Sequence, residues 1–237
     1  MKRFHLLLAG LLGLSLGAVP AAAAAPGAAV SVVAVPSVSV GPGTAYTTDP
    51  GMEGYCTIAV VGHDNEGRLV ALTVGHCHQR AGQAVYKVGE AEAGPIGHET
   101  DVFSGSRDGT FGVLDYAVIE LDPSVVVPSN SGPDVDAVVN NVGDAALWNI
   151  ACKFGPSTGK TCGVITKLDH LHLQNWAAIG PGDSGAPLII GDTLVGISMG
   201  VDFATGSPFY YGRITPILED IDSRGSYGAG FTPVSAD

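Results

Sequence analysis

Basic side chains are scarce in this 237-residue sequence. It has 11 lysines and arginines against 23 aspartates and glutamates, which gives a formal net charge of −12. Removal of an N-terminal leader that carries Lys2 and Arg3 makes the charge −14. Nucleic acids and anionic membrane surfaces attract basic patches, so this balance argues against both classes of partner and favours solubility outside the cell.

Long apolar runs are missing everywhere except at the N-terminus. A spanning helix needs about 20 apolar residues, and no later stretch approaches that length. At the N-terminus, Lys2 and Arg3 precede an apolar run over residues 6–19, and alanines follow Pro20. This pattern predicts a signal peptide over residues 1–24, cleaved near Ala23 or Ala24. An uncleaved membrane anchor is the alternative, but glycines interrupt the run and no basic stop-transfer cluster follows.

We therefore expect a secreted protein, located outside the cell or in the cell envelope or periplasm. We expect no stable membrane insertion after removal of the signal peptide.

Cysteine is also rare, with four residues and no C-x-x-C pair, which argues against a structural zinc site. In a secreted protein an even number of cysteines indicates disulfides. Three connectivities are possible for Cys56, Cys77, Cys152 and Cys162, and the sequence alone does not choose between them. Pairing of near neighbours would close two modest loops, each contributing about 3 kcal/mol in the chain-entropy model.

Two regions differ in composition. Residues 25–50 are rich in Ala, Pro and Val and carry almost no charge, which indicates a linker or a short pro-segment. From Tyr55 onward, short β-branched runs such as "LVALTVG" and "DYAVIEL" alternate with turn residues, and the whole chain has 34 glycines. This pattern predicts an all-β sandwich or barrel.

Only "TPILEDIDS" near the C-terminus has helical periodicity, with Thr215 as a candidate N-cap and Ile217, Leu218 and Ile221 on one face. We interpret Trp148 and Trp176 as packing in the core or at a pocket rim.

The stretch "GPGDSGAPL" places Ser184 among glycines. A serine hydroxyl becomes a nucleophile only beside a base, which a third group must orient, and it needs donors for the developing oxyanion. His76 in "ALTVGHCHQ" is the candidate base, since it follows a β-branched strand next to a cysteine. Asp115 in "GVLDYAVIEL" is the candidate acid, with Asp101 and Asp108 as upstream alternatives.

Two H-x-H pairs, His76/His78 and His170/His172, raise the alternative of a zinc or copper site, because alternate residues of a strand share a face. No carboxylate cluster or third histidine stands near either pair, so we predict no metal. His63 lies near a predicted hairpin turn and is interpreted as a solvated residue.

The motifs "LTVGHC", "DYAVIEL" and "GPGDSGAPL", in this order, resemble the His, Asp and Ser motifs of the chymotrypsin-like (trypsin-like) serine proteases. The stretch "ACKFGPSTGKTCGVIT" is similar to a segment of the bacterial branch that contains α-lytic protease and the streptogrisins. The resemblance runs from about Tyr55 to Gly228. The large pro-domain of α-lytic protease does not fit between the signal peptide and Tyr55, so the existence of a zymogen stays open.

The resemblance implies two six-stranded antiparallel Greek-key β-barrels packed together, with a C-terminal α-helix. The protease domain would span residues 51–228, divided into barrels at about 51–122 and 123–228, with a C-terminal tail over 229–237.

The same resemblance implies a role for each motif residue. His76 is the general base, Asp115 its orienting carboxylate and Ser184 the nucleophile. The backbone N–H groups of Gly182 and Ser184 form the oxyanion hole. The implied structural pairs are Asp183 with Lys153, where the family has arginine, and the disulfides Cys56–Cys77 and Cys152–Cys162.

On the substrate side, "VGISMG" resembles the strand that pairs with the substrate backbone, which makes Ser198 and Gly200 pocket-wall residues. Tyr211, with Phe209, would line the far wall. Ala178 stands where trypsin-type enzymes have an aspartate, so a neutral or apolar P1 side chain is expected.

The leading hypothesis is a monomeric bacterial endopeptidase that acts on peptides or proteins without a cofactor. A catalytically inactive homologue that serves as an extracellular binding module is the main alternative, although such proteins usually lack a triad residue. An esterase with weak peptidase action is the third.

Overall fold

The computed structural model describes residues 37–51, 54–105, 113–201 and 209–235. The predicted signal peptide lies outside these residues. The described chain forms 17 strands and one α-helix. The strands are β1 (Val38–Val40), β2 (Ala45–Thr47), β3 (Cys56–Thr57), β4 (Val60–His63), β5 (Leu69–Thr73), β6 (Ala84–Lys87), β7 (Gly97–Ser104), β8 (Tyr116–Leu121), β9 (Val126–Pro128), β10 (Asn141–Val142), β11 (Ile150–Gly155), β12 (Gly159–Leu168), β13 (His172–Asn175), β14 (Pro187–Ile190), β15 (Thr193–Val201), β16 (Phe209–Arg213) and β17 (Thr232–Pro233).

The first barrel is a curved sheet with the strand order β17-β4-β5-β8-β7-β6-β2-β3. Strands β3 and β4 are successive parts of one bent stretch, which pairs with β2 at one end and with β5 at the other. The sheet therefore curves back on its own beginning, with β17 added at the edge. Strand β5 is buried along its whole length, which explains its run of apolar residues.

The second barrel is closed by six antiparallel strands. The order β15-β14-β11-β12-β13-β16 returns to its start because β15 pairs with both β14 and β16. Strand β10 joins β15 in parallel at the side. The core of the second barrel contains Leu173, Leu188 and Tyr211, all nearly inaccessible to solvent. The expected all-β fold with two barrels is confirmed.

The predicted C-terminal helix, α1, spans Ile214–Arg224. Its N-cap is Arg213, so the interpretation of Thr215 as the N-cap was wrong by two positions. It ends at Gly225, whose φ of 61° is in the left-handed region that favours glycine. Ile217 and Ile221 are fully buried in the cluster that also forms the core of the first barrel. The helix thus connects strand β16 of the second barrel to the core of the first.

Two segments that were expected to flank the domain belong to it. The linker was predicted to reach residue 50, but β1 pairs in parallel with β9, and β2 pairs with β3 and β6. Val38 and Val40 are 1% and 0% exposed, and Ser39 between them is half-buried. This alternation is that of a strand with one face in the core.

At the other end, the predicted tail contains β17, which pairs with β4, and Phe231 packs into the core. Within the described ranges no helix has the length and apolar character needed to span a membrane.

Candidate active site

Asp115 holds His76 at two points. Its Oδ2 lies 2.7 Å from the ring Nδ1, and its Oδ1 accepts the backbone N–H of His76 at 2.8 Å. Asp115 is 5% exposed, whereas a quarter of the His76 side chain faces solvent. A carboxylate oxygen accepts hydrogen bonds, so the His76 tautomer that fits this contact carries its proton on Nδ1 and leaves Nε2 as an acceptor. The alternative acid Asp101 is solvent-exposed on β7, and Asp108 lies outside the described residues.

The surroundings of this pair leave little space. His76 occupies a short 3₁₀ turn after β5, in which a Cβ on Gly75 would lie 1.8 Å from the carbonyl oxygen of Ser104. A Cβ on Gly105 would lie 2.4 Å from Oδ1 of Asp115. Glycine is therefore required at both positions if the backbone is to approach the pair so closely.

The disulfides match the implied pairing. Cys56 bonds to Cys77, and Cys152 bonds to Cys162. The first bridge ties the residue after His76 to strand β3, which restrains the turn that presents the imidazole. The second joins opposite residues of β11 and β12.

Ser184 lies on a tight turn between two glycines in the left-handed region. Gly182 has φ +94° and Gly185 has φ +92°. A Cβ on Gly185 would lie 2.0 Å from the carbonyl oxygen of Thr57, and one on Gly182 would lie 2.4 Å from the ring of Tyr55. The open backbone around Ser184 is thus required both by its dihedral angles and by its close neighbours.

Two backbone donors on this turn are unused. The N–H of Asp183 donates to Gly180, and that of Gly185 donates to Ser198. No hydrogen bond within the described chain engages the N–H of Gly182 or Ser184. The turn therefore offers two free donors beside the Ser184 hydroxyl, an arrangement suited to binding an oxyanion.

Asp183 points away from solvent and pairs with Lys153. The Lys153 Nζ lies 2.9 Å from Oδ2 of Asp183, and both side chains are fully buried. The carboxylate also accepts the Thr158 hydroxyl at 2.6 Å and the backbone N–H groups of Ser157 and Gly180 at 3.0 Å.

Both charges are affected by this burial. Burial alone would raise the pKa of Asp183, but the Thr158 and Lys153 side chains donate to it and hold that pKa below its ordinary value. Burial lowers the pKa of Lys153, against the opposing effect of the Asp183 charge. The pair fixes the base of the turn that carries Ser184.

Thr57 joins the two barrels at the site. Its backbone N–H donates to the carbonyl of Ser184 at 2.7 Å, and its hydroxyl donates to the carbonyl of Gly182 at 2.7 Å. The first barrel, which carries His76, is therefore hydrogen-bonded directly to the Ser184 turn of the second.

His76 and Ser184 line one cavity of about 900 Å³, together with residues 46–50 and 54–56. No hydrogen bond within the described residues joins the Ser184 hydroxyl to the imidazole. Such contacts are often long in ligand-free sites and tighten when substrate binds.

The four residues expected to line the substrate pocket divide into two groups. Ala178 and Gly200 are partly exposed, and a Cβ on Gly200 would meet nothing within 4 Å. Ser198 and Tyr211 are fully buried, and the Tyr211 hydroxyl donates to the carbonyl of Ala177 at 2.6 Å. None of these four residues lines the cavity that contains Ser184. Burial also raises the pKa of Tyr211. Phe209 is half-buried.

One histidine of each H-x-H pair contacts a backbone carbonyl. The Nε2 atoms of His78 and His172 each lie 2.9 Å from a backbone carbonyl, of Thr100 and Val113 respectively. No group of three or more potential ligands occurs among the described residues. His63 is exposed at the end of β4, as expected of a solvated residue.

The tryptophans are not buried. Trp148 is 72% exposed and Trp176 is 50% exposed, and neither lines the cavity beside Ser184. The interpretation of both as packing in the core or at a pocket rim was therefore wrong for the described chain. Trp148 stands in a turn with φ +71°.

Sequence reasoning missed several supporting residues. Thr57, Gly105 and Thr158 all contact site residues that are at least 10 positions away in the chain. None of them carries a local signal, except that Thr57 follows a cysteine. They are identified by the fold alone.

No protein-family profile matches the chain. The uncharacterized protein Rv1815 of Mycobacterium tuberculosis is 31% identical over 186 residues, which cover 70% of this chain and 78% of that protein.

Two solved structures are similar in fold. Thermobifida fusca protease A aligns with a TM-score of 0.62 at 19% identity, over 84% of this chain and all of its own. An α-lytic protease homologue, N4, aligns with a TM-score of 0.59 at 21% identity, over 78% of this chain and 97% of its own.

Proposed function

Because this chain belongs to the same family as Rv1815 and has the fold of the bacterial chymotrypsin-like serine proteases, we propose that it is a serine endopeptidase. The observation that carries the proposal is the double contact of Asp115 with His76, in a cavity that also contains Ser184. The proposed triad is Ser184, His76 and Asp115.

Nucleophilic attack begins at the Ser184 hydroxyl. With the proton held on Nδ1 by Asp115, Nε2 of His76 accepts the hydroxyl proton as the oxygen bonds to the scissile carbonyl carbon. The ion pair that forms between the imidazolium and Asp115 stabilises this step. The carbonyl oxygen becomes an oxyanion, and the N–H groups of Gly182 and Ser184 donate to it.

The tetrahedral intermediate then collapses. Nε2 of His76 returns the proton to the leaving amine, the C–N bond breaks, and an acyl-enzyme remains on Ser184. Water then enters the position that the amine has left, and His76 removes a proton from it as its oxygen bonds to the acyl carbon. Cleavage of the ester bond releases the carboxylic acid product and the free Ser184 hydroxyl, which recovers its proton from His76. Every proton transfer uses a residue of this chain, so the reaction requires no cofactor.

The acyl half of the substrate is proposed to run along β15 as an added strand. Gly200 leaves the mouth of the pocket open, and Ala178 contributes no charge to its wall. We therefore propose a neutral or apolar P1 preference. The scarcity of basic residues fits a peptide or protein substrate and not a nucleic acid.

We propose that the protein is secreted and acts as a monomer. The N-terminal sequence has the pattern of a signal peptide, and all four cysteines are in disulfides, as expected for an oxidising compartment.

The test is covalent labelling. A fluorophosphonate should add once to the folded protein, at Ser184, as read by intact mass and peptide mapping. Ser184→Ala should abolish labelling and reduce kcat by about a millionfold, since triad members act as a unit. His76→Ala should lose labelling although Ser184 is still present. A folded wild-type protein that remains unlabelled would refute the catalytic proposal and leave a binding module as the function.

A further inference from the structure

Arg80 differs from the other arginines that the structure describes. Three of the four are ion-paired: Arg68 with Asp64 and Glu66, Arg213 with Asp144, and Arg224 with Asp220. Arg80 has no carboxylate within ion-pair distance in the described chain, although the sequence contains 23 acidic residues. An arginine left unpaired in so acidic a protein is available to a carboxylate from outside.

The position of Arg80 is built by its neighbours. Glu99 is 2% exposed, and its carboxylate accepts the backbone N–H groups of Arg80 and Gln79 at 2.9 Å. The side-chain Nε of Arg80 donates to the Gln83 amide oxygen at 2.8 Å, and the Gln83 amide nitrogen donates to the carbonyl of Thr48 at 3.2 Å. These bonds orient the guanidinium and leave its two Nη groups without partners in the described structure.

Arg80 lines the cavity that contains Ser184 and His76. The acyl half of a substrate would lie on the second barrel, near Ala178 and Gly200. With that orientation, the chain after the scissile bond would continue past His76 over the first barrel, where the Cys56–Cys77 bridge and Arg80 form part of the cavity wall. Arg80 is thus placed on the leaving-group side.

One carboxylate shares the cavity wall. Asp49 is exposed, its Oδ1 accepts the N–H of Gly51 at 3.0 Å, and it forms no ion pair with Arg80. Apart from His76, the remaining lining residues are uncharged. Arg80 is therefore the one guanidinium or ammonium group on this wall among the described residues.

We propose that Arg80 is a specificity-determining residue that binds a carboxylate on the leaving-group side of the substrate, within the first three residues after the scissile bond. This inference rests on the proposed protease function. The planar guanidinium presents paired N–H donors that match a carboxylate. Because Arg80 is exposed, solvent weakens the pair, and we expect a preference for glutamate over glutamine of about two- to fivefold in kcat/KM.

The experiment uses the mature wild-type protein and internally quenched peptides with one common acyl-side sequence. The peptides carry Glu, Gln or Lys at the first, second or third residue after the scissile bond. Wild type should prefer Glu at one of these positions. Arg80→Gln should abolish that preference, Arg80→Lys should keep part of it, and Arg80→Glu should reverse it in favour of Lys. Lys167→Gln, which removes one positive charge outside the cavity, is the matched control and should behave as wild type.

A second substrate separates the two proposals. An activated ester of the same acyl-side sequence has no residues after the scissile bond, so all four variants should hydrolyse it at the wild-type rate. Retained esterase activity without any Glu preference, or an equal preference in Arg80→Gln, would overturn the role of Arg80 and leave the protease proposal intact. If wild type hydrolyses neither the ester nor the peptides, the proposed function itself fails.

Discussion

Replacing Lys153 with methionine should destabilise the protein strongly. The substitution keeps an unbranched apolar stem but removes the ammonium group that lies 2.9 Å from Asp183. Both partners are 0% exposed, so the remaining carboxylate would be a buried charge without a counter-ion. Removal of one partner of a buried ion pair costs about 3–5 kcal/mol. The hydroxyl of Thr158 and the N–H groups of Ser157 and Gly180 still donate to the carboxylate, so we expect the lower end, about 3 kcal/mol.

The assay is urea denaturation followed by far-UV circular dichroism, which reports the free energy of unfolding and the m-value. The double variant Lys153→Met/Asp183→Asn also removes the unpaired negative charge. It should recover about half of the lost free energy of unfolding, since the amide oxygen can still accept a hydrogen bond from one of the backbone N–H groups. Ser184→Ala serves as the control for a change on the same turn that leaves the ion pair in place.

Catalysis should respond as well. Asp183 fixes the base of the turn that carries Gly182 and Ser184, so Lys153→Met should lower kcat by about tenfold or more at temperatures where the variant is fully folded. If Lys153→Met unfolds within about 1 kcal/mol of wild type, or if the double variant is no more stable than the single one, the ion pair does not hold the site as described.

Three further predictions follow from the fold and the site. A chain that begins at residue 37 should fold, whereas one that begins at residue 51 should not, because it lacks the buried residues Val38, Val40 and Tyr46 of β1 and β2. Soluble yield and circular dichroism of the two expressed chains test this prediction. Gly200→Val should leave the free energy of unfolding within about 0.5 kcal/mol of wild type, because the valine Cβ enters open space. The valine should reduce kcat/KM for substrates with a bulky P1 residue more than for those with alanine, and an equal loss of kcat/KM for both would argue against a pocket there. Burial alone would raise the pKa of Asp64, but hydrogen bonds from Arg68 and from the N–H of Gly228 outweigh it and hold that pKa below its ordinary 3.8. The stabilisation that Asp64 provides is therefore present above about pH 4 and is lost as the pH falls further, so the urea midpoint of Asp64→Asn should fall less steeply in acid than that of wild type. Urea midpoints that fall in parallel with pH for the two proteins would contradict this account.

The sequence by itself determined the features that depend on near neighbours in the chain. The β-branched runs predicted the strands, and the apolar spacing of Ile217 and Ile221 predicted the helix, because both patterns repeat within a few residues. Gly182 and Gly185 were identified for the same reason, since left-handed backbone geometry favours glycine wherever it occurs. The resemblance of three short motifs then gave candidates for the triad and both disulfides.

Tertiary structure alone decided which distant segments meet. Residues 37–50 resemble a linker in composition, and only the pairing of β1 with β9 and of β2 with β6 makes them part of the domain. Thr57 became a site residue because it binds the carbonyls of Gly182 and Ser184, more than 120 positions away. The isolated charge of Arg80 was likewise invisible in the sequence, since whether an arginine is paired depends on every carboxylate that the fold places near it. Local patterns are set by the backbone of a few residues, whereas contacts between distant residues depend on the packing of both barrels.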